Sequence, residues 1–314
     1  MGNRNVALDL LKFFLILGVF IGHIMPYKFD IEWQTYISVI LHSLARTVVP
    51  LFFIISGYFL KKKLDDADAI FAYVKRYFVM FIIWQLIFAY PMYTFYINQL
   101  VDNTTTIQTV LYGFGHLWFL NALFLGAILV YYTRGLNVNL KLNLAITLLF
   151  IGIILQNIPL PEEFRSIYNW IGTSRNFLFF GFPYLMIGTI LNQINFKHSK
   201  QIIIFLGLLV IFEGFYYHNH NGISNLYIFS FPFTIALMKY ITSYKKQIEV
   251  PFTINPNLLL GMYLVHFYPV YYLTLNFPEN TFGVVLLKLL FVIITSYIIF
   301  RILDLINKKI KILF

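Results

Sequence analysis

The sequence contains no cysteine. That excludes a disulfide framework, a thiolate metal site and a cysteine nucleophile. Charge is scarce as well. Only 11% of residues are Asp, Glu, Lys or Arg, where a soluble domain carries about 25%. A water-soluble fold with 60% hydrophobic residues has no way to hide its apolar surface. A bilayer does, because hydrocarbon then solvates that surface. No basic run is interleaved with aromatics in a soluble segment, so the net charge of +10 does not point to nucleic acid. Lys and Arg retained in cytoplasmic loops account for it. No small-residue cleavage motif follows the apolar stretch 6–26, so no cleavable signal is expected there. No helix face carries a convincing His-x-x-x-His pair. His218 and His220, two apart, read as a solvent-facing loop, so neither a metal nor a permanently bound cofactor is expected.

What is present is a series of apolar stretches near 6–26, 38–60, 70–97, 117–134, 142–157, 175–194, 201–218, 223–242, 257–276 and 284–306. Crossing hydrocarbon takes roughly 20 apolar residues. The expected fold is therefore all-α: a polytopic transmembrane bundle of about ten helices. Residues 1–314 are expected to form a single membrane domain. The longest expected loops, 98–116 and 158–174, are short, which places the chemistry among the helices. The basic residues set the orientation. Of 23 Lys and Arg, seventeen fall on one side of such a bundle, including Lys61–Lys63, Lys75 and Arg76. The other side holds Lys28, Arg165 and Arg175, and Lys12, Arg46 and Lys288 lie within spans. This bias predicts that both termini are cytoplasmic.

Ionisable side chains at membrane depth are costly and mark functional positions. They are Asp9, Lys12 and His23 in the first span, His42 and Arg46 in the second, and His116 and Arg175 opening the fourth and sixth. Glu213, His266 and Lys288 follow in the seventh, ninth and tenth. The predicted orientation gathers His23, His42, Arg46, His116, Arg175 and Glu213 in the outer half. Lys12 and His23 are eleven residues apart, nearly three full turns, so both lie on one face about 16 Å apart. Asp9 shares that face and is placed to pair with Lys12. Each residue also has a plainer reading. Lys12 fits snorkelling to the interface, and His23 fits a satisfied interior histidine. His116 and Arg175 fit solvated interfacial groups. Ser56 and Gly57 fit close helix packing, and Lys61–Lys63 a topology signal.

Five segments together resemble the acyltransferase-3 family of bacterial membrane proteins. They are LDLLKFFLILGVFIGHI (8–24), RTVVPLFFIISGYFLKKK (46–63), HLWFLNALF (116–124), RNFLFFGFPYLMIG (175–188) and MYLVHF (262–267). The fourth is similar to the glycan O-acetylase branch. One pattern departs: many members carry Arg-x-x-Arg entering the third helix, whereas here Lys75 and Arg76 are followed by Val79 and Met80. The resemblance implies O-acylation, usually O-acetylation, of cell-surface carbohydrate from acetyl-coenzyme A, in the bacterial cytoplasmic membrane. On that reading His23 and Arg46 are catalytic, with His23 a general base or an acyl-carrying nucleophile. Lys12, Asp9, Lys75 and Arg76 meet the polyanionic donor. His116, Arg175, Glu213 and His266 orient the acceptor or the catalytic histidine.

Two other classes fit a polar-lined bundle. An exporter or flippase of glycan intermediates also places ionisable groups near the midplane. A membrane anchor or sensing module, as in racemases that carry a related membrane domain, predicts a fused soluble domain, and none is expected within these 314 residues.

Overall fold

A computed structural model describes residues 5–99, 103–158, 175–220, 224–244, 256–279, 281–310 and 313. Among them there is no strand. In chain order the helices are α1 (Val6–Ile24), α2 (Glu32–Ala45), α3 (Val48–Leu60), α4 (Ala67–Ile87), α5 (Ala89–Gln99), α6 (Asn103–Tyr112) and α7 (Trp118–Tyr132). Then come α8 (Val138–Asn157), α9 (Phe182–Ile190), α10 (Lys200–His220), α11 (Ser230–Ser243), α12 (Pro256–Val265), α13 (Phe267–Asn276) and α14 (Phe282–Ile310). Several starts are local. Asn5, Asp66 and Asn137 cap α1, α4 and α8 by accepting first-turn N–H groups that have no partner within the helix.

Eight helical segments are long and apolar enough to cross a membrane, and a shorter apolar one covers Phe177–Ile190. The eighth expected span, 223–242, is represented by α11, with 14 residues. Large apolar side chains such as Phe14, Phe71, Leu86, Phe212 and Leu287 stand exposed, as a surface solvated by hydrocarbon requires. The protein is a multi-pass membrane protein.

The helices group into two units. The first holds described residues of 5–52 and 195–310, the second those of 53–194 with Leu313. In the first unit α1 packs against α2, α11, α12 and α14, while α10 packs against α2 and α11. In the second, α4 packs on α7, and α9 on α7 and α8. There α3 and α9 touch backbone to backbone. A Cβ on Gly57 would overlap the Leu185 carbonyl, and one on Gly188 would overlap the Ile54 carbonyl. This is the close packing expected of Gly57. Phe53 fills the adjoining space, its ring 4.6 Å from Phe119 and 5.9 Å from Phe180.

Two expectations about loops need correction. The segment 98–116 is not simply a loop, since Asn103–Tyr112 is helical. The reason is tertiary. Gln85 of α4 donates to the Thr109 and Val110 carbonyls at 3.1 and 3.0 Å, and Asn121 of α7 donates to Leu111 at 2.8 Å. Side chains distant in sequence thus satisfy the C-terminal carbonyls of α6. The pair His218 and His220 lies in the last turn of α10, not in a loop. The loop expected over 158–174 lies outside the described residues beyond Ile158.

Candidate active site

The first unit collects most of the expected site. α1 runs unbroken from Val6 to Ile24, so the shared face of Lys12 and His23 holds. Asp9 and Lys12 form the expected pair, Oδ1 to Nζ, at 3.5 Å. His23 stands in the last turn of α1 and is exposed, which leaves its ring accessible to a substrate. His266 is wholly buried and interrupts the 257–276 span between α12 and α13. Its Nδ1 lies against the Tyr263 carbonyl. A carbonyl only accepts, so Nδ1 carries the proton and Nε2 a lone pair in the neutral ring. The rings of His23 and His266 lie 5.2 Å apart. Phe20 and Phe267 flank them, Phe20 at 5.3 Å from His266 and Phe267 at 6.0 Å from His23. Two histidines far apart in sequence are thus brought together in an aromatic setting.

A cavity of about 360 Å³ opens beside His23, bounded by Pro26, Leu273, Thr274, Phe277 and Lys288. It has the size of a small ligand pocket. Lys288 is buried, and its ammonium donates to the Phe277 and Glu279 carbonyls at 2.6 and 2.7 Å. It thereby pins the segment after α13 and sets one wall. The sequence marked Lys288 as an intramembrane cation but gave it no role.

Arg46 and His42 line a second, smaller pocket of the same unit. His42 Nε2 donates to the Met25 carbonyl at 2.9 Å, fixing the segment just after His23. Tyr27 stacks on His42 with ring centres 4.0 Å apart. Arg46 donates to the Tyr27 hydroxyl at 2.8 Å. Nothing in the sequence singled out Tyr27, whose role depends on the turn between α1 and α2. Glu213 is buried and accepts from the Ile228 and Phe229 N–H groups at 2.7 and 3.0 Å. Both its oxygens thus hold the backbone entering α11. Directly beside it, Gly214 lets α10 approach Ser43 of α2 so closely that a Cβ would overlap the hydroxyl.

The other expected residues belong to the second unit. His116 is buried edge-on to Phe88 at 5.2 Å and so is not a solvated interfacial group. Its turn depends on Gly113 and Gly115, with φ of 111° and 55°, values that side-chain-bearing residues seldom adopt. Arg175 is half-buried and precedes Asn176, whose Oδ1 caps the π-turn Phe177–Gly181 by accepting from Leu178 and Phe179. Lys75 and Arg76 are exposed on α4. The Arg76 guanidinium lies 5.9 Å from the Tyr77 ring centre, and the Lys63 ammonium 5.8 Å from that of Tyr73.

No solved structure matches this chain. An amino-acid racemase of Enterococcus faecalis is 22% identical over 99% of the chain, and a serine/alanine racemase of Enterococcus gallinarum is 24% identical over 69% of it. The chain spans 48% and 34% of those two proteins, less than half of either. A family model described as "Acyltransferase domain" matches residues 5–301. With nearly the whole chain covered, the protein belongs to the acyltransferase-3 family.

Proposed function

We propose that the protein transfers an acetyl group from acetyl-coenzyme A to a hydroxyl of an extracytoplasmic cell-surface carbohydrate, with His23 as the reacting base. The observation that carries this reading is the accessible His23 ring, beside buried His266, on the rim of a ligand-sized cavity. His23 takes the proton of the acceptor hydroxyl as the oxygen attacks the thioester carbonyl. The C–O bond forms, the C–S bond breaks, and the proton passes to the departing thiolate. Histidine suits both transfers because its ordinary pKa lies near neutrality. His266 and the flanking phenylalanines hold the base in place. Lys12 with Asp9, and Lys75 with Arg76, serve the donor phosphates from the cytoplasmic side, where the basic bias puts both termini. His116 and Arg175 are assigned to the acceptor side.

The test compares the protein with His23→Ala at matched membrane levels, measuring ester-linked acetyl on surface glycans by mass spectrometry before and after mild alkali. Acetyl lost in the variant at unchanged glycan export supports the reading. Equal acetylation removes His23 as the base. Loss of surface glycan itself favours an exporter. Unchanged glycans without any acetyl in either strain favour a membrane module, the reading suggested by the racemase names of the longer relatives.

A further inference from the structure

We infer that the smaller pocket of the first unit is an anion-binding site, in which Arg46 seats one carboxylate or phosphate group. The pocket measures about 60 Å³, and Tyr27, His42, Arg46, His218 and Tyr227 are among the residues lining it. A buried water needs about 10–15 Å³ by the same kind of measure. The space therefore takes a group of roughly four heavy atoms and excludes a whole sugar ring.

Its charge is positive and preset. Arg46 is half-buried, and among the described residues no carboxylate forms an ion pair with it. Glu213, next in sequence to Gly214 of the pocket lining, is committed through both oxygens to the Ile228 and Phe229 amides. A guanidinium has five N–H donors in a fixed fork suited to oxyanions, and the contact to Tyr27 uses one. Hydrogen bonds from such a charged fork to an oxyanion are roughly twice as strong as neutral ones, and a bound oxyanion supplies the acceptors.

The fork is also held from behind. The Met25 carbonyl fixes His42, His42 carries the stacked Tyr27 ring, and the Tyr27 hydroxyl receives Arg46. Pro26 borders the larger cavity beside His23, and the next residue, Tyr27, borders this pocket. At most about 14 Å of extended chain separates His23 from Tyr27. An anionic group seated on Arg46 is thus close enough to belong to a molecule that presents a hydroxyl to His23. Two sources share this chemistry: an acidic or phosphorylated saccharide, and a lipid headgroup. The anion site stands on the pocket alone; assigning its occupant to the acyl acceptor rests on the acyl-transfer reading.

The test uses the full chain in phosphatidylcholine nanodiscs, with glucuronate, glycerol 3-phosphate and glucose titrated by ligand-observed NMR. The two anions are expected to bind at least about tenfold more tightly than glucose, as charge-assisted pairing with a guanidinium fork implies. Arg46→Gln is expected to abolish that preference, and Arg46→Lys to restore part of it. Tyr27→Phe, which removes only the hydroxyl holding the fork, is expected to weaken anion binding about threefold by loss of one modest hydrogen bond. Should Arg46→Gln fail to fold, judged by gel filtration and thermal midpoint, Arg46→Lys and Tyr27→Phe decide the matter. Phosphatidylglycerol in the nanodisc separates the sources: competition with glucuronate assigns the site to a headgroup, and its absence assigns it to a saccharide. His23→Ala is expected to bind the anions normally, so failure of the acyl-transfer reading leaves this result distinguishable. Equal binding of glucose and glucuronate, or anion preference surviving in the folded Arg46 and Tyr27 variants, overturns the proposal.

Discussion

In the second unit the buried polar side chains among the described residues are His116, Asn121, Asn176 and Thr189. Its interior is otherwise aromatic and aliphatic, built around Phe53, Phe180, Tyr184 and the Gly57–Gly188 contact. The first unit buries His42, Glu213, His266 and Lys288 together with several hydroxyls, and places Arg46 and His23 at two cavities. Three of the ionisable ones have a specific use: His42 on one carbonyl, Lys288 on two carbonyls and Glu213 on two amides. Desolvating such groups is tolerable only when they are hydrogen-bonded. A unit that bears this cost repeatedly is one in which position matters more than packing alone. The comparison therefore places most buried ionisable groups in the first unit, and close apolar packing with an exposed basic helix in the second.

The sharpest way to break this comparison is His23→Ala. Transfer is expected to fall at least about 100-fold, the lower end for loss of a general base, with an unchanged thermal midpoint in detergent. Retained transfer would move the chemistry out of the first unit. Next is a glycine contrast. Gly57→Ala drives a methyl into the Leu185 backbone of the second unit and should destabilise by about 1–3 kcal/mol as an overpacked contact. Gly22→Ala in the first unit meets only the Ala45 Cβ at 3.6 Å, an ordinary contact, and should leave the midpoint within a degree or so of the parent. Similar losses from both would show that the Gly57 loss does not come from its contact with the Leu185 backbone.

A smaller effect is expected for Glu213→Gln. It replaces one acceptor oxygen by a donor facing an amide N–H, costing about 1–2 kcal/mol. Thermal unfolding should show the loss while anion binding at Arg46 persists. The smallest effect belongs to Lys75→Gln with Arg76→Gln. These exposed charges act through screened attraction, so KM for acetyl-coenzyme A should rise a few-fold at low salt, with kcat unchanged. A fall in kcat instead would give the second unit a direct part in the reaction.

Part of the site was legible in advance because membrane depth makes ionisable residues conspicuous. His23, Arg46, Glu213 and His266 stood out against hydrocarbon, and Asp9 and Lys12 followed from helical spacing. Tyr27 and Tyr227 did not, since tyrosine is ordinary at membrane boundaries. Helix α6 was missed because its polar, threonine-rich stretch has no strong pattern, and Gln85 and Asn121 supply the bonds that complete it.

By itself, the sequence determined that the chain spans a membrane as helices, to which family it belongs, and which polar residues needed a reason to be there. The first and last follow from composition and period, which local chemistry sets, and the family from the five segments that resemble it. Only the tertiary structure decided that His23 meets His266, that Arg46 faces a pocket separate from the His23 cavity, and that Glu213 holds backbone. Contacts between helices hundreds of residues apart depend on how side chains fill space, and no spacing along one helix encodes them.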